Sequence, residues 1–147
     1  MKTAIVYYSM HHGNTKKIVD AISKKADVTL IDAAKYSEYD LCCFDRIGFA
    51  SGIYFQKFSE KVIDFLEQNL PDSKEIFYLY TYGIKRKSYL DAIEEAAKKK
   101  HAIVIGAFGC RGFDTFGPFK WIGGIAKGRP DQKDVENAVC FFEEITK

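Results

Sequence analysis

Net charge is scarce in this chain: 22 Lys and Arg against 20 Asp and Glu leave a formal +2 over 147 residues. That is too little for the electrostatic footprint of a nucleic-acid binder, and no run of Lys or Arg exceeds three residues. Long apolar stretches are missing too. None approaches the roughly 18 residues that a membrane-spanning helix requires. The amino terminus lacks the length and small-residue cleavage site of a secretory signal, so the expectation is a protein that stays in the cytoplasm. Cysteine is sparse and unpaired in spacing: Cys42, Cys43, Cys110 and Cys140 fit neither a metal site nor a redox motif. Adjacent Cys42 and Cys43, just before an apolar run, are expected to be small buried residues.

What is present is a globular composition, 47% apolar and 29% charged, with 12 Phe and nine Tyr. The length suits one domain, residues 1–147, with one active region. Short β-branched or aromatic runs alternate with amphipathic stretches, the pattern of crossover units around a parallel sheet. Strands are expected at residues 3–8, 28–31, 45–50, 75–80 and 102–108, nearly unbroken in apolar character because helices cover both faces. Helical stripes follow at Ile18, Val19 and Ile22; at Phe58, Val62, Phe65 and Leu66; at Leu90, Ile93 and Ala97; and at Val135, Ala138, Val139, Phe142 and Ile145. Ser88 with Asp91 spells a capping box, and Asp131 stands where the last helix should begin. The fold class is therefore α/β, a three-layer doubly wound sandwich. Residues 109–130 exceed an ordinary connection, and with Phe113, Phe116, Phe119, Trp121 and Ile122 they are too apolar for a disordered linker. They serve either as a lid or rim, or as an insertion that buries only its own aromatics.

Ligands of open parallel sheets bind beyond the carboxyl ends of the strands. Three such ends carry suggestive residues. Ser9, Met10, His11, His12, Gly13, Asn14 and Thr15 lie between a strand and a helix, where backbone amides and the helix dipole can hold an anion; a simple capping turn is the alternative. Ser51, Gly52, Ile53, Tyr54 and Phe55 follow the third strand, and Thr81, Tyr82 and Gly83 the fourth. A phosphate at one end and a planar ring between aromatics at the other would suit this set, with Tyr54 or Phe55 on one face and Tyr82 on the other. Gly13-Asn14-Thr15 is not the Gly-Lys-Ser/Thr of a Walker loop, and the three spaced glycines of a dinucleotide fingerprint are missing. The acidic cluster of a phosphoacceptor receiver is also missing, since Tyr8, Ser9, Ala50 and Ser51 occupy those strand ends.

These residues resemble the flavodoxin family, whose hydroxyl-rich loop ending Gly-Asn-Thr binds the phosphate of FMN while two later loops hold the isoalloxazine. The resemblance spans nearly the whole chain and rests chiefly on Gly13-Asn14-Thr15 after an apolar strand. It implies a five-stranded parallel sheet ordered 2-1-3-4-5. It assigns Ser9, Met10, His11, His12, Gly13, Asn14 and Thr15 to phosphate, Ser51, Gly52, Ile53, Tyr54 and Phe55 to one side of the ring, and Thr81, Tyr82 and Gly83 to the other edge. No catalytic residue and no metal is implied. Three features depart from the family: one extra residue between Ser9 and Gly13, Lys85-Arg86-Lys87 beside a flavin loop in place of an acidic surface, and the long segment 109–130. The expected function is electron transfer through bound FMN, with redox proteins or a small donor and acceptor as partners. A small FMN-dependent oxidoreductase, resembling the flavodoxin-like reductases and protoporphyrinogen oxidase, with a substrate site under 109–130, is the alternative. A flavin-free ligand-binding module is the third. His11 and His12 are expected to make FMN affinity fall as pH rises through the imidazole range.

Overall fold

The first strand, β1 (Thr3–Tyr8), is buried on both faces along all but its last residue, which is possible only in the middle of a sheet with a layer on each side. The computed structural model, which describes residues 1–10, 13–54, 56–113 and 123–147, builds that arrangement. After β1 come α1 (Asn14–Lys25), β2 (Val28–Asp32), β3 (Arg46–Tyr54), β4 (Lys57–Phe58), α2 (Glu60–Asn69), β5 (Glu75–Tyr82), a 3₁₀ turn (Lys87–Leu90), α3 (Asp91–Lys98), β6 (Ile103–Arg111) and α4 (Gln132–Ile145). The long strands run parallel in the order β2-β1-β3-β5-β6, with β4 pairing only the end of β3, antiparallel. Leaving out this two-residue strand, the order is the expected 2-1-3-4-5. The chain leaves β1 in one direction to make β2 and returns on the other side to make β3, so the crevice between β1 and β3 is the switch point.

Two apolar layers sandwich the sheet. On one face Ile5, Phe77, Leu79 and Cys110 pack with Ile18, Val19 and Ile22 of α1 and Ala138 and Phe142 of α4. On the other, Val6, Ile47, Phe49 and Tyr78 pack with Val62, Phe65 and Leu66 of α2 and Ile93, Ala96 and Ala97 of α3. Gly48 of β3 stands opposite Phe77 of β5, and a Cβ there would lie 2.4 Å from the Phe77 ring. The missing side chain is what lets that ring lie flat across the neighbouring strand. No helix among the described residues is long and apolar enough to cross a membrane.

Several sequence expectations shift. Cys42 and Cys43 are exposed, because they occupy the tip of a turn closed by Phe44 N–H to Leu41 C=O at 3.1 Å; Leu41 and Phe44 are the members that enter the core. Phe58 belongs to β4, and α2 begins after Ser59, whose hydroxyl caps the Lys61 amide. The Ser88–Asp91 capping box does not form: Ser88 lies in the 3₁₀ turn, and α3 starts after Leu90 without a side-chain cap. Asp131 does cap α4, in a reciprocal box with Asp134. Finally, β3, β5 and β6 run four, two and three residues past their expected ends at 50, 80 and 108, so part of the candidate site rides on paired backbone.

Candidate functional site

The site is built from the carboxyl ends of β1, β3 and β5. At β1, Gly13 takes a left-handed conformation, φ 66° and ψ 27°, and turns the chain directly into α1, a geometry glycine adopts without steric cost. Its carbonyl accepts the Lys17 amide at 3.0 Å. Ser9 provides the side-chain cap, its Oγ accepting the Lys16 N–H at 3.1 Å. Asn14 and Thr15 N–H are among the amides that a helix start leaves without intrahelical carbonyls. No acidic residue lies in the first turn, while Lys24 and Lys25 lie in the last. The positive end of the dipole is therefore not neutralised by its own helix.

Asn14 and Thr15 of this first turn are bonded to neighbouring segments, while Lys16 and Lys17 are exposed. Thr15 Oγ1 and Thr81 Oγ1 are 3.0 Å apart in a buried pair that joins the first loop to the end of β5. Asn14 Nδ2 donates to the Phe113 carbonyl at 2.8 Å. Gly112 is needed for that contact, since a Cβ would fall 2.5 Å from Asn14 Nδ2. Lys17 Nζ donates to the Pro130 carbonyl. Both described ends of the long segment, residues 109–113 and 123–130, are thus fastened beside the start of α1.

At β3, the pairs Ile53↔Phe58 and Tyr54↔Lys57 fold the strand end back on itself, with Gln56 at φ 65°. The fully buried Ser51 hydroxyl accepts the Ser59 amide at 2.9 Å and donates to the Gly52 carbonyl at 2.5 Å. Tyr54 lies across the first loop: its hydroxyl accepts the Met10 N–H at 2.9 Å, and its ring meets Tyr8 edge-on with centroids 6.0 Å apart. A Cβ on Gly52 would come within 2.9 Å of the Tyr54 hydroxyl, so this glycine makes the close approach possible. At β5, Tyr82 is half-buried between Tyr80 and Tyr89, with centroids 5.8 and 6.3 Å away. Burial raises the phenol pKa of Tyr54, and burial is also the main cause of a raised pKa at Tyr82; both rings are neutral at physiological pH. The Gly83 carbonyl accepts Arg111 Nε at 3.1 Å.

The structure therefore brings together Ser9, Met10, Gly13, Asn14, Thr15, Gly52, Tyr54 and Thr81, and sets Tyr82 and Gly83 on the strand end beside them. Gly52 and Thr81 are direct register partners. His11, His12, Phe55 and residues 114–122 lie outside the described residues. Sequence reasoning missed Arg111 and Gly112 as parts of this frame and named Phe113 only as an aromatic of the long segment; the length and apolar character of 109–130 were the available signals.

The flavodoxin domain model matches residues 5–110. The chain belongs to the flavodoxin family. Its resemblance to an uncharacterised protein of Methanocaldococcus jannaschii is 33% identity over 149 residues, covering 100% of this chain and 99% of that one. Among solved structures, a flavodoxin from the domain Archaea superposes with a TM-score of 0.65 at 20% identity, over 99% of each chain. A flavoprotein of Lactobacillus acidophilus solved in complex with FMN superposes with a TM-score of 0.57 at 21% identity, over 75% of this chain and 92% of that one. For this member of the flavodoxin family, the match to the family model ends at Cys110, so it takes in all three site-bearing strand ends and leaves out most of the long segment.

Proposed function

We propose that this protein binds FMN without a covalent bond and serves as an electron carrier. The carrying observation is the start of α1: a left-handed Gly13, a serine cap from outside the helix and a first turn free of acid, placed at the sheet's switch point beside two aromatic strand ends. The residues fit the cofactor. Among the described residues a Cβ at Gly13 would meet nothing within 4 Å, which supports a helix start open to a phosphate approaching the amides. Ser9, Gly13, Asn14 and Thr15 would bind the phosphate, with Gly52 and Tyr54 on one side of the ring and Tyr82 and Gly83 along the other. Bound FMN supplies the redox chemistry, giving and taking electrons one or two at a time. The chain's own work is to hold the phosphate, flank the ring with neutral aromatic surface and keep water from it. The complex of the Lactobacillus relative with FMN supports this reading.

Titrating flavin-free protein with FMN and with riboflavin, followed by flavin fluorescence, tests it. FMN is expected to bind at least about tenfold tighter, roughly 1.4 kcal/mol, because only FMN presents a phosphate to the helix start. Equal affinities would remove the phosphate site, and no binding of either would end the flavin reading. The attachment of residues 113 and 130 to α1 favours, as a second reading, an oxidoreductase whose substrate sits against the long segment. Anaerobic reduction of the FMN complex by NAD(P)H, followed by multiple turnover with a quinone, would bring that reading forward.

A further inference from the structure

We propose that the rim formed by the loop after β5 is a docking surface for a small acidic electron-carrier protein. The inference rests on the FMN reading. Lys85, Arg86 and Lys87 are consecutive and exposed, separated from Gly83 by one residue, and Arg111 is tied to the start of the same loop through its bond to the Gly83 carbonyl. Among the described residues none of these four cations has an acidic side chain within salt-bridge distance, whereas Lys16, Lys57 and Arg129, elsewhere around the same end of the sheet, are paired with Asp20, Glu60 and Asp134. Four like charges with no acidic partner among the described residues raise the local potential and draw in anionic surfaces.

Two further observations shape the partner. The start of the loop is tied by Arg111 on the Gly83 carbonyl, and buried Tyr89, just past the cations, closes the loop by donating its hydroxyl back to the Ile84 carbonyl. Ile84 and Met10, 47% and 58% exposed, belong to the loops on the two flanks of the candidate ring site. Exposed apolar side chains flanking the candidate ring site, with cations next to one of them, suit a transient protein interface, and are more than a free anion in solution requires. The complement is a protein with carboxylates around an apolar contact at its own redox centre. The exchange itself moves one electron between the two proteins and makes or breaks no bond to this chain.

The test uses a strongly acidic iron–sulfur ferredoxin and basic cytochrome c as probes, with calorimetric binding measured on flavin-free and FMN-loaded protein. The ferredoxin is expected to bind both forms, and its Kd to weaken about tenfold or more from low to physiological ionic strength. Combined Lys85→Glu, Arg86→Glu and Lys87→Glu should weaken it at least about tenfold and strengthen cytochrome c binding, while FMN affinity stays within about twofold. Tighter binding of cytochrome c to the unchanged protein, or ferredoxin binding indifferent to the triple reversal, overturns the proposal. Protein that takes no FMN yet binds ferredoxin through the triplet refutes the flavin reading and supports the surface. Normal FMN binding without ferredoxin docking refutes the surface alone.

Discussion

Replacing Thr15 by Val isolates the bond that joins the first loop to the end of β5. Thr15 and Thr81 are 2% and 4% exposed, and their hydroxyls bond to each other at 3.0 Å. Valine keeps the shape and removes one hydroxyl, so the remaining Thr81 oxygen is buried without a partner. That costs about 1–3 kcal/mol, the penalty of an unsatisfied buried group and more than the net worth of the bond itself. Thr81→Val should cost about as much for the same reason. The double variant leaves no orphan and should lie well short of the sum, with a coupling of about 1–2 kcal/mol. Urea unfolding of flavin-free protein reads all four corners of the cycle, and the single variants should melt roughly 2–12 °C lower, at about 2–4 °C per kcal/mol for a chain of this size. Two single variants within about 0.5 kcal/mol of the parent, or strictly additive losses, would refute the reasoning.

Gly48→Ala should destabilise by about 1–3 kcal/mol, because its Cβ would fall 2.4 Å from the Phe77 ring; chemical denaturation reads the loss. Gly52→Ala should leave stability nearly intact yet weaken FMN binding about tenfold or more, since the new methyl displaces the Tyr54 hydroxyl from Met10; flavin fluorescence measures it. Asp134 is buried and accepts Arg129 Nη2 at 2.7 Å. The hydrogen bond from Arg129 is the main cause holding its carboxyl below the ordinary range. A lowered folded pKa gives stability that is present above the unfolded carboxyl value near pH 4 and lost as pH falls through the folded value. Asp134→Asn should therefore cost about 1 kcal/mol at neutral pH, moderated because the Arg129 side chain is 35% exposed, and should flatten the acid limb of a stability–pH curve.

The strands and the two apolar layers were legible because β1, β3 and β5 are continuous apolar runs and the helices carry clear stripes; the order of the strands came from the resemblance to the family. The junction Gly13-Asn14-Thr15 was legible because a strand stops and a helical period starts around it. The far end of β3 was not. Ser51 to Tyr54 read as a loop: Ser51 and Gly52 extend the parallel ladder with small residues beside Tyr80 and Thr81, while Ile53 and Tyr54 pair only with Lys57–Phe58, too short to show alternation, and Phe58 falls in helical register with Val62 and Phe65. Ser51 illustrates the limit for single residues: its type suits a ligand contact, but folding turns its hydroxyl onto Ser59. The start of α3 misled for a related reason, because buried Tyr89 draws its segment into a 3₁₀ turn and overrides the local Ser88 signal. Cys42 and Cys43 looked apolar by type, while the turn that carries them buries their neighbours instead.

The fastening of Phe113 to Asn14 and of Pro130 to Lys17 also makes the intervening stretch a natural cassette. Its two ends are fixed by backbone carbonyls, which any sequence between them would present equally well. Exchanging the stretch for one twice as long should add only about 0.6 kcal/mol of closure entropy. A common scaffold could in this way carry many different insertions beside the start of α1, each exchanged without redesigning the sheet beneath.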